Sequence, residues 1–316
     1  MAKAKNGALL KKGDVVNDTY EVQCFIGKGA FGEVYRVKHK FMGMQVLKVL
    51  QDDYVENTDL ETVTNEARIL SSLTHSNIVR VFETNTFNAQ GKSRYFITMG
   101  FVSGESLAQL MAREISLSVK VSLSIQIAVL QGLSEVHKQD PPIIHRDISP
   151  DNILLSYDTE KPRALLSDFG LAQSVDQMSG IADAAGKYLY FAPECFWGAY
   201  LPASDVFSAG IVLYRMLTGS FPWNYDFDGL TDDDRDSVST MIIKGRKTEP
   251  SPPSTYNDAC SKNLDRITLK AINKELEGRY CNAGEFLDDL VAEQMNNVVV
   301  EKTQDKTQEQ IDILYY

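Results

Sequence analysis

The sequence has few cysteines, no long apolar run and a deficit of positive charge. Its four cysteines lie far apart and form no CxxC pair, so neither a disulfide framework nor a zinc site is indicated. The best candidate for a membrane helix, SAGIVLYRML, is too short and contains Arg215, which is typical of a buried helix. A secretory signal requires an apolar h-region, and none precedes Lys11. We therefore expect a cytoplasmic protein without a membrane span or export.

The charge balance narrows the choice of partner. The formal net charge is -11, whereas a nucleic acid or an anionic membrane attracts clustered lysine and arginine. We therefore expect no nucleic-acid partner and no membrane partner. With 316 residues and 43% hydrophobic content, the chain can bury a large core as one big domain or two lobes.

The hydrophobic period changes along the chain. Residues 20–49 alternate apolar and polar side chains in three segments, which predicts three antiparallel strands. LETVTNEARILSSL has helical spacing, and NIVRVFETNTF and RYFITMGFV return to strand. Beyond Gly104 the pattern is mostly helical, so a sheet-rich part precedes a helix-rich part.

A glycine motif lies between the first two predicted strands. IGKGAFGEV places Gly27, Gly29 and Gly32 in GxGxxG spacing, which lets backbone N–H groups approach phosphate oxygens. A Rossmann dinucleotide site is the alternative, with Asp52 near the distance of a ribose contact. A Rossmann turn opens a helix, however, whereas here the chain continues as a strand hairpin. The pattern favours a flexible lid over nucleotide phosphates.

Further motifs follow in a fixed order. They are QVLKVL with Lys48, NEARILSSLTHSNIV with Glu66, HRDISPDN with Asp147, SDFG with Asp168, and YFAPE. Together they resemble a eukaryotic-type (Hanks-type) serine/threonine protein kinase, as also found in bacteria, over residues 20–292.

This resemblance implies an α+β, bilobal kinase-like fold, with an antiparallel N-lobe sheet carrying one helix and a mainly helical C-lobe. It implies an N-terminal extension at 1–19, a nucleotide-binding N-lobe at 20–102, a catalytic and substrate-binding C-lobe at 103–292, and a C-terminal tail at 293–316. The expected cofactors are ATP and Mg²⁺, with Mn²⁺ as an alternative metal.

The resemblance also assigns roles to individual residues. Asp147 orients the substrate hydroxyl, Lys48 holds the α- and β-phosphates, and Glu66 fixes that lysine. Asn152 and Asp168 are the expected metal ligands, because hard Mg²⁺ prefers oxygen donors. The expected nucleotide contacts are Gly27, Lys28, Gly29, Gly32, Val34, Val46, Lys48, Met99, Phe101 and Leu154.

Other residues are expected to support the site. In the family a buried glutamate and arginine pair, here Glu194 and Arg279, and a helix aspartate, here Asp205, anchors the catalytic loop. Four side chains are expected to stack as a spine between the lobes: Leu70, Val81, His145 and Phe169.

Two positions depart from the family pattern. Most serine/threonine kinases carry a lysine where Ser149 stands, and a threonine where Lys187 follows Gly186. We expect Lys187 to reach back toward Asp147, Ser149 and the γ-phosphate, which restores the missing charge. An exposed Lys187 and a slow or inactive enzyme are the alternatives.

A further departure concerns switching. In such enzymes the arginine at the position of Arg146 usually binds a phosphorylated residue of the activation loop. Asp183 stands three residues before Gly186 and could pair with Arg146 without modification. Ser174 and Ser179 are the alternative phosphosites.

The expected substrate is a protein with a serine or threonine acceptor, because Ser149-Pro150 and Leu189-Tyr190 differ from tyrosine-kinase patterns. Asp151 and the acidic net charge favour basic substrates, and a cognate phosphatase is the natural partner. The oligomeric state stays open. Two other functions compete: a nucleotide-binding pseudokinase, and a small-molecule kinase, which generally lacks the Ala-Pro-Glu segment.

Overall fold

The strands of the N-terminal part form one antiparallel sheet. The computed structural model describes residues 8–29, 32–51, 71, 73–158, 163–169, 186–225 and 235–296. The six strands are β1 (Val15–Val16), β2 (Tyr20–Gly29), β3 (Gly32–His39), β4 (Gly43–Leu50), β5 (Val81–Ala89) and β6 (Lys92–Gly100). Their order in the sheet is β1-β2-β3-β4-β6-β5.

Side-chain alternation along these strands creates two different faces. On one face Tyr35, Leu47 and Phe96 belong to a buried cluster that closes the outer side of the sheet. On the other face Ile97 and Met99 form a second cluster, against which Val46 and Leu154 pack. Because Leu154 comes from the helical part of the chain, this second face is the one that meets the second lobe.

The segment before the predicted lobe packs onto the sheet. β1 pairs with β2 through Val16 and Tyr20. Leu10 is buried, and its backbone N–H donates to the Tyr35 hydroxyl at 3.1 Å. Residues 8–19 therefore contribute to the core of the N-terminal part.

The helical part follows. Its helices are α1 (Leu107–Arg113), α2 (Val119–His137), α3 (Pro202–Thr218), α4 (Arg235–Gly245) and α5 (Lys262–Ala271), and residues 283–296 form α6. α2 and α3 are the central pair, and both contribute mostly buried side chains to one large core. Ser118 and Ser261 begin α2 and α5 by accepting the N3 backbone N–H, which satisfies a donor that no helical carbonyl can reach.

α2 is long and apolar enough to cross a membrane by length and composition alone. Its 56% buried share shows that it packs inside the helical part, as core helices of globular proteins do. The shorter apolar stretch SAGIVLYRML lies within α3 and is mostly buried as well.

A small sheet joins the two parts. β7 (Gly104–Ser106), β8 (Ile153–Ser156) and β9 (Arg163–Leu166) pair in that order. The predicted α+β arrangement, an antiparallel sheet followed by a mainly helical lobe, is thereby confirmed. The helix predicted from LETVTNEARILSSL lies almost wholly outside the described residues.

Candidate active site

A cavity of about 560 Å³ lies between the six-stranded sheet and the helical lobe. Six predicted nucleotide contacts line it: Val34, Val46, Lys48, Met99, Phe101 and Leu154. The apolar side chains come from both lobes, and Lys48 and Asp168 form a charged end. A flat aromatic base fits such a slot, and its phosphates would face the charges.

The glycine hairpin lies between β2 and β3. A Cβ at Gly32 would approach the Val49 carbonyl oxygen to 1.9 Å, so this glycine is required by strand packing. A Cβ at Gly27 or Gly29 would meet no described atom within 4 Å. Protein packing therefore does not explain these two glycines, and a ligand that approaches the backbone would. Lys28 points to Glu33 at 3.5 Å and is largely exposed.

Several lining residues were not predicted. Cys24 and Ile26 extend the cavity along β2, and Glu105 and Gln109 form its rim at β7 and α1. Glu105 is already engaged: Arg113 donates to it at 2.8 Å and the Tyr157 hydroxyl at 2.6 Å. The hydrogen bond from Arg113 lowers the pKa of Glu105 to about 2. The only sequence signal for Glu105 and Gln109 was their position shortly after the predicted nucleotide contacts Met99 and Phe101.

Lys48 and Asp168 join the lobes at the charged end. Lys48 Nζ, carried by β4, lies 2.6 Å from Asp168 Oδ1, just after β9. Burial opposes ionisation of Asp168, but Lys48 and Lys187 outweigh it and hold its pKa below the usual value. Asp168 has a φ of +59°, in the left-handed region, and such strain concentrates at functional sites.

The loop between α2 and β8 presents Asp147. Asn152 Nδ2 donates to the Asp147 backbone oxygen and to its carboxylate Oδ2, both at 2.8 Å. The Ser167 backbone and hydroxyl both donate to the Asn152 carbonyl, which ties this loop to the end of β9. These bonds fix Asp147 in one orientation. Its side chain is also almost completely buried.

Asp205 of α3 anchors the same loop through its carboxylate. Its carboxylate accepts the backbone N–H groups of His145 at 2.7 Å and Arg146 at 2.9 Å. His137 Nε2 lies 3.0 Å from the carboxylate. Arg146 has a φ of +67°, and these bonds hold the loop in that left-handed conformation.

His145 packs between the loop and the segment that carries Asp168. Its ring lies 4.4 Å from the Phe169 ring, and Val81 packs on the same core. His145 Nε2 is 3.0 Å from the Ser167 carbonyl oxygen, which can only accept, so this nitrogen carries the proton. Burial lowers the pKa of His145. The fourth predicted spine residue, Leu70, lies outside the described residues.

A metal ion would find oxygen donors here. Asp168 supplies a carboxylate, and Asn152 has committed its nitrogen to Asp147, which leaves Oδ1 for a cation. Within the described ranges there is no cluster of three or more histidine, cysteine or acidic residues that could hold a metal alone. This donor set fits Mg²⁺, which keeps several waters and binds through one or two protein groups together with phosphate oxygens.

The comparisons with known proteins agree with this geometry. The protein kinase domain model matches residues 20–293. The chain belongs to the protein kinase family. The predicted resemblance to Hanks-type serine/threonine kinases is confirmed.

Bacterial kinases are among its relatives. The chain is 32% identical over 284 residues to a probable serine/threonine-protein kinase of Clostridium perfringens, covering 88% of this chain and 38% of the relative. It is 30% identical over 283 residues to the serine/threonine-protein kinase PknB of Mycobacterium tuberculosis, covering 87% and 43%. The chain thus spans about two fifths of the length of these curated relatives. The crystal structure of the Mycobacterium tuberculosis PknI kinase domain superposes with a TM-score of 0.67 at 26% identity, covering 90% of this chain and 99% of that domain.

The family's buried ion pair is present in this kinase domain. Arg279 Nη1 lies 2.7 Å from Glu194 Oε1, and the Arg279 side chain is completely buried. The Ser204 hydroxyl donates to the same carboxylate at 2.7 Å. This network ties the Ala-Pro-Glu segment to α3 and to the turn before α6.

Lys187 occupies the place that family kinases give to threonine. Its Nζ lies 2.5 Å from Asp147 Oδ2, and its side chain is 28% exposed. Ser149 is buried within the catalytic loop, at 2% exposure. The structure therefore places Lys187 against the carboxylate of Asp147.

Some predicted residues lie outside the described residues. They are Glu66, Asp183, Ser174 and Ser179, together with the tail from residue 297. The pairing of Lys48 with Glu66 and the pairing of Arg146 with Asp183 stay predictions. The guanidinium carbon of Arg146 lies 5.7 Å from the centroid of the Tyr200 ring.

Proposed function

We propose that the chain is an ATP-dependent serine/threonine protein kinase that transfers the γ-phosphate of Mg-ATP to a protein hydroxyl and also phosphorylates itself. The observation that carries this proposal is the pairing of Lys48 with Asp168 at one end of the cavity, together with the hydrogen bonds by which Asn152 links Asp147 to Ser167, next to Asp168. A phosphoryl group held there would lie between a cation, a metal-binding carboxylate and a carboxylate that can accept a proton.

The nucleotide would enter with its base between the lobes. Val34 and Val46 from the sheet and Leu154 from the C-lobe would cover the two faces of adenine. Met99 also lines the cavity, and residues 100–102, which line it too, would offer backbone groups to the edge of the base. Lys48 would then exchange its contact with Asp168 for the α- and β-phosphates.

Asp168 and Asn152 would hold the metal ion. Bound Mg²⁺ would supply charge neutralisation for the phosphates. The low pKa of Asp168 keeps its carboxylate ionised for this role at neutral pH. Mn²⁺ has a similar preference for oxygen donors and is expected to substitute.

Asp147 would receive the substrate hydroxyl. The hydroxyl oxygen forms a bond to the γ-phosphorus while the bond from that phosphorus to the β–γ bridging oxygen breaks. The hydroxyl proton passes to Asp147, and ADP leaves. Asn152 presents the Asp147 carboxylate for this step by donating to it at 2.8 Å.

The segment after Lys187 would form part of the docking site for the protein substrate. Arg246, which is buried, donates to the carbonyl oxygens of Phe191 at 2.5 Å and Leu189 at 2.8 Å. The Ser208 hydroxyl donates to the Tyr190 carbonyl at 2.8 Å. The segment is thus held rigidly beside Asp147, where a peptide would dock. The relatives' names point to a serine or threonine acceptor.

Three finer points belong to this proposal. The exposed Asp151 and the net charge of -11 favour basic substrates, and a cognate phosphatase would reverse the reaction. A cytoplasmic location is supported by the free state of all four cysteines. We expect neither nucleic acid nor membrane as a partner.

The two competing functions explain less of the site. A pseudokinase would not need Asp147 to be both buried and oriented by Asn152. A small-molecule kinase would not need Glu194 and Arg279 to anchor an Ala-Pro-Glu segment.

The test is transfer of radiolabel from ATP. We expect the purified chain to label itself and a basic test protein such as myelin basic protein, with the label recovered as phosphoserine or phosphothreonine. Asp168→Asn should lower the rate by about 10²-fold or more, because a charge-stabilising group is lost. Equal labelling by wild type and Asp168→Asn would show a contaminating kinase. Tight nucleotide binding without any transfer would favour the pseudokinase.

A further inference from the structure

The catalytic loop carries no cation between Asp147 and Asn152. The residues between them are Ile148, Ser149, Pro150 and Asp151. Ser149 Oγ is buried and makes no hydrogen bond within the part of the chain that the structure describes. A hydroxyl without a partner is costly in a packed loop, so Ser149 is not explained by the fold alone.

A cation reaches this loop from the opposite side. Lys187 follows Gly186 in the segment that leads to the Ala-Pro-Glu motif, and its Nζ lies 2.5 Å from Asp147 Oδ2. One ammonium group therefore contacts the carboxylate that would receive the substrate hydroxyl.

The surroundings of Lys187 suit a role in transfer rather than in folding. Its side chain is 28% exposed, whereas the Asp147 side chain is 8% exposed, so the ammonium stands at the open side of the carboxylate. A buried structural pair would be closed on all sides, as Glu194 and Arg279 nearly are. The γ-phosphate and the substrate hydroxyl would approach from this open side.

We infer that Lys187 is the catalytic cation of this kinase, supplied by the activation segment in place of a catalytic-loop lysine. This inference rests on the proposed function. When Mg-ATP binds, phosphate oxygens attract the ammonium group away from Asp147, which frees that carboxylate for the substrate hydroxyl. Lys187 then stabilises the negative charge that develops on the transferred phosphoryl group.

The lysine of the family pattern and the small polar residue have thus exchanged places, and Ser149 is the second half of this exchange. A lysine at position 149 would bring a second ammonium group toward the space beside Asp147 that Lys187 Nζ occupies. Two ammonium groups beside the same carboxylate repel each other strongly in a partly buried site. The small side chain at 149 therefore leaves the position open to Lys187, and moving the charge back should be tolerated only when Lys187 is removed.

The experiment measures steady-state transfer to myelin basic protein from Mg-ATP. Lys187→Met and Lys187→Thr should lower kcat by about 10²-fold, the usual effect of removing one electrostatic stabiliser of a transition state. Lys187→Arg, which keeps the charge, should stay within about tenfold of wild type. Binding of Mg-ADP, which lacks the γ-phosphate, should be unchanged in all three variants.

The exchange itself is tested by a double-mutant cycle. Ser149→Lys alone should transfer phosphate more slowly than wild type. The double variant Ser149→Lys/Lys187→Thr should be at least tenfold faster than Lys187→Thr alone. Thermal unfolding shows whether Ser149→Lys folds, because that site is buried. If it does not fold, the comparison of Lys187→Met with Lys187→Arg decides alone, since Lys187 is partly exposed.

A matched control is Lys38→Thr, which removes an exposed lysine from β3 and should leave kcat unchanged. Equal kcat in Lys187→Met and wild type would overturn the inference, and so would a faster Lys187→Met, since Lys187 would then block Asp147. Absence of transfer by wild type itself would instead contradict the proposed function.

Discussion

At the scale of single residues, Arg279 shows how this domain keeps a charge in its interior. Besides Glu194, its guanidinium donates to the carbonyl oxygens of Asn273 at 2.9 Å and Ala203 at 3.0 Å. A buried charge is tolerated only when such partners replace water. The arginine thereby joins three separate segments of the C-lobe.

Removing this arginine should be strongly destabilising. We expect Arg279→Ala to lower the free energy of unfolding by about 3–5 kcal/mol, because Glu194 is left without its cation. The matched control is Arg266→Ala: Arg266 pairs with Asp289 at 3.2 Å but is 54% exposed. Its loss should cost less than about 1 kcal/mol. Urea unfolding measures both, and equal losses would contradict the assignment of Arg279 to the core.

Sequence reasoning found Glu194 and Arg279 because a family motif marks each of them. It did not find Arg246, which follows α4 and carries no motif. A lone arginine beside a turn is usually a surface residue. Arg246 is instead buried against the Trp223 ring and holds backbone carbonyls of the Ala-Pro-Glu segment. Backbone acceptors leave no trace in a sequence, so such a contact cannot be predicted from it.

At the scale of elements, α3 acts as the platform of the catalytic loop. Asp205 stands in its first turn and is 2% exposed. Its two backbone hydrogen bonds define where His145 and Arg146 run, and hence where Asp147 points. α5 uses the same device elsewhere, since the buried Asp265 accepts the Ser254 backbone N–H at 2.8 Å.

The two helix aspartates give a matched pair of variants. Asp205→Asn and Asp265→Asn each turn a buried acceptor oxygen into a donor, so each should lower the free energy of unfolding by about 1–3 kcal/mol. Asp205→Asn alone should also lower kcat, by about 10²-fold, because Asp147 is misplaced. Transfer rates per folded molecule separate the two effects. A similar kcat in both variants would show that the loop holds its shape without Asp205.

The elements divide into those that local pattern predicts and those that it does not. β2, β3 and β4 follow from alternation within residues 20–49, since that pattern is local. β1 consists of two residues, Val15–Val16, and exists because β2 offers a pairing edge. The placement of β6 between β4 and β5 is also a long-range choice. A family resemblance supplies such an order, whereas periodicity cannot.

At the scale of the whole molecule, hydrogen bonds and an ion pair connect the lobes around the cavity. The Val79 and Leu166 backbones bond at 2.8 Å, and Asn77 Nδ2 donates to the Ala164 carbonyl at 3.0 Å. Lys48 and Asp168 add the ion pair across the cleft. The sequence indicated which residue types meet here, through its motifs. It could not show that Lys187, 40 residues from Asp147, lies within hydrogen-bond distance of it, because that distance depends on how two separate segments of the C-lobe fold against each other.

A ligand that bridges the lobes should therefore stabilise the entire domain. Mg-ADP at about 100 times its dissociation constant should raise the free energy of unfolding by about 2.7 kcal/mol, since it binds only the folded state. Chelating the metal with EDTA should remove most of this gain in the free energy of unfolding. Asp168→Asn should gain as little from ADP with Mg²⁺ present as wild type gains in EDTA. Lys38→Thr, on the outer part of β3, should respond as wild type does. Thermal unfolding with and without metal measures all four, and an equal gain in EDTA would mean that Asp168 and Asn152 hold no metal beside the nucleotide.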